Sequence, residues 1–188
     1  MLGIVVLIVF LVVLGLIVSA GFFIPHVTTM SVMDIKKPIN TCYALANETW
    51  FYKELIPQLS EPQVTPNISE TTRATAMVNY KGKAMTWVLE DSIANYRMSA
   101  KWTEGVCEVH LQLSFYRLSK NETRWVLIAK RQPKGTLRRL QVALGKSKQK
   151  KLAETFLQAA KARTEQFDGE ITEFADVDAE LNPNFSLH

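Results

Sequence analysis

Cysteine and histidine are scarce in this chain of 188 residues, with Cys42 and Cys107 far apart and His26, His110 and His188 scattered. No Cys-x-x-Cys pair, His-x-x-x-His spacing or paired-carboxylate spacing occurs, which argues against a zinc centre or a disulfide framework; no metal is expected. Two buried free thiols are the expectation, with a single bridge left open if the domain faces an oxidising compartment. His110 reads as an exposed strand residue. The chain also lacks a Gly-x-Ser-x-Gly nucleophile elbow. Gly145-Lys146-Ser147 imitates the end of a phosphate-binding loop, but Leu140 stands where that loop needs its first glycine. No catalytic residue and no cofactor is assigned, and an enzyme would have to assemble its acid and base groups from distant strands.

Charge is missing altogether from Leu2 to Ile24, an unbroken apolar run. As a helix rising about 1.5 Å per residue it would cover roughly 35 Å, enough for a hydrocarbon core of about 30 Å with modest tilt. Residues 1–25 are therefore expected to be a transmembrane anchor of a single-pass protein. The competing reading is a cleavable signal peptide, because Val18-Ser19-Ala20 has the small-residue pattern of a cleavage site. The run, however, has no basic n-region and stays apolar beyond the length an h-region needs. Lys36 and Lys37 on its C-terminal side tip the soluble domain toward the cytoplasm. The sequons at Asn47, Asn67, Asn121 and Asn184 pull toward a eukaryotic lumen, so the face stays open.

What remains is enough for one domain with a single core. The formal charge of +4 is unevenly placed. Lys130, Arg131, Lys134, Arg138, Arg139, Lys146, Lys148, Lys150 and Lys151 crowd one stretch, and an acidic segment follows, from Glu165 through Asp168, Glu170, Glu173, Asp176 and Asp178 to Glu180. The basic stretch is either a solvated helix face or a surface for anionic headgroups, with Arg138, Arg139, Lys146, Lys148, Lys150 and Lys151 as the membrane-surface candidates. It lacks the interleaved aromatics of a nucleic-acid site, and no nucleic acid is expected as partner. Residues 167–188 read as an acidic, flexible tail that folds back on the basic stretch.

Hydropathy periods order the rest. Residues 27–36 suit a strand stopped by Pro38; Asn40 or Thr41 then caps a helix, broken near Asn47 and followed by a second. Pro57, Pro62 and Pro66 mark a connection or an edge strand. Beyond them the period becomes two. Ala74, Ala76, Val78 and Tyr80 form one face, Lys81-Gly82 turns the chain into Met85, Trp87 and Leu89, and Asp91-Ser92 ends that strand. Tyr96, Met98, Ala100 and Trp102 alternate next, then Gly105 turns into Cys107, Val109, Leu111, Leu113 and Phe115. Residues 124–131 are the last strand, with Trp125, Leu127 and Ala129 inward. From Thr136 apolar residues recur at helical spacing, giving a long amphipathic C-terminal helix with a kink at Gly145.

Strand, two short helices, a run of antiparallel strands and one long helix is an order that resembles the START-like superfamily (SRPBCC-type), which includes polyketide cyclase-like and lipid-transfer proteins. The local match is best from Ile35-Lys36-Lys37-Pro38 through Cys42-Tyr43-Ala44-Leu45 to Trp50-Phe51-Tyr52, and the resemblance covers residues 27–166. It implies an α+β helix-grip fold, an antiparallel sheet around a long C-terminal helix, here preceded by one transmembrane helix. Some bacterial members carry a similar N-terminal span. The resemblance carries no catalytic residue across.

A sheet gripping a helix leaves room between them for an apolar ligand. Trp87, Met98, Trp102, Leu111, Leu113, Leu140, Leu144 and Phe156 are the candidate lining, although inward residues at these periods also serve simply as core. The leading expectation is a membrane-anchored binding protein for a hydrophobic small molecule or lipid, with the bilayer as partner. The rivals are a structural or assembly subunit of a membrane protein complex with a filled domain, and a cyclase-like enzyme.

Overall fold

The structure is a computed structural model that describes residues 2–56, 63–69, 72–80 and 82–168. Of the expected acidic tail only Phe167 and Asp168 fall inside this range. Lys37 holds both: its Nζ donates to the Phe167 carbonyl at 2.6 Å and stands 3.5 Å from Asp168 Oδ1. The rest of the tail, and its contact with the basic stretch, lies outside the described residues.

The apolar run forms helix α1 (Leu2–Phe22), 21 residues with no charge at either end. Side chains of residues 5–14 are exposed, between 43% at Leu14 and 62% at Val6. Over the described residues no helix is long and apolar enough to cross a membrane.

Strand β1 (Val27–Ile35) is followed by α2 (Ile39–Asn47) and α3 (Thr49–Leu55). Pro38, not Asn40 or Thr41, holds the cap position of α2, and no side-chain cap bond forms. Pro38 has φ −58°, a value its ring imposes and a helix start accepts, while its carbonyl accepts the first bond from Cys42 N–H. Six strands then run as a meander: β2 (Gln63–Ser69), β3 (Thr72–Tyr80), β4 (Lys83–Ile93), β5 (Arg97–Glu104), β6 (Cys107–Ser119) and β7 (Glu122–Pro133). β1 closes on β7, giving one antiparallel sheet in the order β1-β7-β6-β5-β4-β3-β2. The proline-bearing β2 sits at an edge, where its missing amide breaks no ladder on a second side.

The expected turn at Asp91-Ser92 is absent. The strand instead slips register between Leu89 and Asp91 and pairs on as far as Ile93 with Arg97. Such a bulge absorbs the polar pair without ending the strand; Asn95, at φ 54°, makes the real turn. The left-handed region tolerates Asn better than most side chains. The expected single C-terminal helix is two, α4 (Thr136–Leu144) and α5 (Lys146–Glu165), parted at Gly145.

The core lies under one part of the sheet. Ile35, Tyr43, Phe51, Leu113, Phe115, Trp125, Leu127 and Leu157 form a single buried cluster drawn from β1, β6, β7, α2, α3 and α5. Phe115 meets Trp125 and Tyr43 edge-on at ring separations of 5.1 and 5.6 Å, the geometry the ring quadrupoles favour. Polar ties hold α5 to the end of β1: Lys161 Nζ donates to the Asp34 carbonyl at 2.8 Å, and Lys36 N–H donates to Glu165 at 2.9 Å. This is an α+β sheet with a C-terminal helix packed on it, as a helix-grip fold requires.

Candidate ligand-binding face

Strand register decides which side chains share the inner face. Phe115 pairs with Trp125, Leu113 with Leu127, Leu111 with Ala129 and Val109 with Arg131. One strand further, Met98 pairs with Leu113, Ala100 with Leu111 and Trp102 with Val109; Leu89 pairs with Ala100, which brings Trp87 to the same side. Because alternate side chains point the same way, all of these face α5 rather than the outside.

Helix packing does not follow the strands across. Among the described residues the helices make their main contacts with β1, β6 and β7. Phe115, Trp125 and Val109 are 0% exposed, whereas Trp87, Leu89, Met98, Ala100, Trp102 and Leu111 are all half-buried. The inner face of β4 and β5 is thus apolar yet only partly covered.

Two tryptophans dominate it. The rings of Trp87 and Trp102 lie 5.3 Å apart and 30° from parallel, a tilted contact between neighbouring strands. Trp87 Nε1 is buried and has no hydrogen-bond partner among the described residues. A buried donor left unpaired costs about 1–3 kcal/mol.

Of the residues selected from sequence, Trp87 and Trp102 come together on this partly covered face, while Met98 and Leu111, on the same side, pack half-buried against the core. Leu113 is 4% exposed and belongs to the core, and Phe156 packs half-buried against that core. Leu140 is half-buried on α4. Leu144 is placed otherwise than expected: it is 77% exposed, because α4 ends at Gly145 and its outward side carries the 144 position. Sequence reasoning did not single out Arg131, which the register puts on the inner face beside Val109; its Nη1 donates to Gln149 Oε1 of α5 at 3.3 Å. Its odd-numbered place in the Trp125, Leu127, Ala129 series was the available signal.

Titratable groups gather elsewhere. His110 Nε2 lies 3.0 Å from Glu108 Oε1 and His110 Nδ1 3.8 Å from Glu90, while Lys101 Nζ contacts Glu90 at 2.6 Å. Glu108, His110 and Lys101 alternate with the inward residues and so occupy the outer face. The hydrogen bond from Lys101 to Glu90 raises the lysine's pKa, keeping this group charged. Both cysteines are free, and burial pushes each thiol up, away from the thiolate a nucleophile needs. Among the described residues no cluster of three metal-binding side chains occurs.

No family model and no curated protein matches the chain. Solved structures do. The Zhui aromatase/cyclase from Streptomyces sp. R1128 superposes with a TM-score of 0.57 at 10% identity, over 74% of this chain and 94% of that one. A START superfamily protein from Mycobacterium smegmatis gives 0.55 at 10% identity, over 74% and 97%. Norcoclaurine synthase from Thalictrum, solved with a transition-state analogue, gives 0.56 at 6% identity, over 74% and 94%. The fold is therefore that of the START-like, SRPBCC-type proteins, and at these identities the likeness shows the fold alone.

Proposed function

We propose that this chain is a membrane-anchored binding protein that holds a hydrophobic small molecule or lipid on the inner face of β4 and β5. The observation that carries the reading is the half-buried Trp87–Trp102 ring pair, on strands that, among the described residues, lie away from the main helix contacts. Transfer of apolar matter onto such a face contributes about 25 cal/mol per Å² removed from water. The unpartnered Trp87 Nε1 adds a preference for a ligand bearing an acceptor oxygen. Structures of like fold include an aromatase/cyclase and a START superfamily protein. Membrane attachment is supported by the 21 uncharged residues of α1 and the exposed side chains of residues 5–14.

A cyclase-like reaction is the weaker reading, because the histidine–carboxylate group lies on the outer face. Docking as an assembly subunit finds support in the exposed Met30 and Val32 of edge strand β1, at 54% and 45%. Native mass spectrometry of the full chain released from nanodiscs separates these readings. Cargo retention predicts a bound apolar species that Trp87→Ala with Trp102→Ala removes; a spectrum of bare protein, with no uptake of added fatty acid or sterol, would reject it.

A further inference from the structure

Helix α4 has no buried residue, an unusual state for an amphipathic helix inside a domain. Its inner side, through Arg139, Leu140, Val142 and Ala143, is half-buried. Its outer side shows Leu137 at 63% and Leu144 at 77%, seven residues apart and so nearly in line, with Arg138 and Gln141 exposed beside them. The first turns of α5 add Lys146, Lys148, Lys150 and Lys151, and Leu152 at 62% exposed. Leucines in the open, bordered by cations, are the make-up of a helix that lies in a lipid interface.

The position of α4 points the same way. α1 and α4 pack against each other, and Gly21 is buried there: a Cβ at that position would meet Thr136 Cγ2 at 2.5 Å and the Thr136 carbonyl oxygen at 2.6 Å. The absence of a side chain at Gly21 lets the two backbones approach. Thr136 opens α4, so the outward leucines begin beside the place where the apolar helix ends.

We infer that α4 and the start of α5 form a second, interfacial contact with the bilayer, in which Leu137 and Leu144 enter the headgroup region and the flanking cations face anionic lipid. This rests on α1 being embedded in that bilayer. Each Lys or Arg near such a surface adds to the attraction for anionic headgroups, and the covalent link to α1 removes most of the cost of bringing the helix there. The contact would fix the domain's orientation, as one helical anchor alone does not.

The test uses the full chain in nanodiscs of phosphatidylcholine, with or without about a third phosphatidylglycerol. A fluorophore is placed at Gln141→Cys, between the leucines, or at Val12→Cys in α1, each with Cys107→Ser. Doxyl-labelled lipids then report depth. The expected result is deep quenching at residue 12 and shallow quenching at residue 141, at least about twofold greater with anionic lipid and abolished by Leu137→Ser with Leu144→Ser. Quenching at residue 12 without any at residue 141, or quenching at 141 that survives loss of both leucines, overturns the inference and leaves the anchor standing. No quenching at residue 12 overturns the anchor, and the inference falls with it.

Discussion

On β6 and β7, Phe115 and Trp125 are sealed under α2, α3 and α5 and meet edge to face at 5.1 Å. On β4 and β5, Trp87 and Trp102 occupy the same inner side at a similar spacing, 5.3 Å, yet among the described residues the helices pack mainly on β1, β6 and β7, and both rings are half-buried. Sequence alternation is alike in the two regions; cover differs. The covered region acts as the domain's core, and the partly covered one carries the same side-chain chemistry with less protein over it. Aromatic side chains left in this state are costly to keep exposed and fitted to an apolar partner.

The sharpest way to break this comparison is to truncate one aromatic in each region. Trp125→Ala should cost about 3–5 kcal/mol, since removing a wholly buried ring leaves a cavity. Trp102→Ala should cost no more than about 1.5 kcal/mol, the worth of one aromatic pair. Urea unfolding followed by circular dichroism measures both, and equal losses would erase the distinction. For ligand the order should reverse: Trp102→Ala should weaken apolar binding about 10- to 100-fold, in line with about 1.5–3 kcal/mol for a buried large side chain. Trp87→Phe, which keeps a ring and deletes the N–H, should cost a ligand with an acceptor oxygen about fivefold and a pure hydrocarbon nothing. Competition binding with a matched alcohol and alkane checks this.

Smallest is an effect of acid confined to the covered region. Arg124 Nε and Nη2 donate to the two Asp34 oxygens at 2.7 and 2.9 Å, joining β7 to β1. The bond from Arg124 holds the Asp34 carboxyl below its ordinary value. The folded state therefore binds this proton less readily than the unfolded one. Its stabilising contribution is complete above the unfolded value near pH 4 and is lost as pH falls through the lower folded value. Both side chains are more than a third exposed, at 36% and 39%, so water screens the pair and Asp34→Asn should cost under about 1 kcal/mol at pH 7. Urea midpoints at pH 7 and pH 3 should show that difference shrinking in acid.

Much of this architecture was legible beforehand because period-two alternation is strong in the meander. Trp125, Leu127 and Ala129 inward, the turn that Gly82 makes at φ 76° and the break between α2 and α3 follow from residue spacing and turn chemistry; Lys81 lies outside the described residues. The missed features come from tertiary effects. The bulge after Leu89 hid the true turn, and Pro38 supplied a helix start that Asn40 and Thr41 were expected to make. Leu144 shows the problem most clearly: its spacing from Leu140 reads as an inward stripe, but which side of α4 faces the sheet is set by the break at Gly145 and the packing against α1. Nor does alternation alone tell a covered strand from an uncovered one, so the core role of Leu113 and the open position of Trp102 could not be separated by pattern. Arg131 was passed over because a charge was counted with the basic stretch rather than placed by parity.

Tryptophan emission offers the most direct measure of cargo on the open face. The full chain in nanodiscs is titrated with a brominated fatty acid, whose heavy atom quenches only rings it touches, for wild type and for Trp87→Phe with Trp102→Phe. Saturable quenching that disappears in the double variant, with the emission of the remaining Trp50 and Trp125 untouched in both, is the predicted result. Unsaturable quenching, or quenching unchanged by the double substitution, would contradict a binding face on β4 and β5.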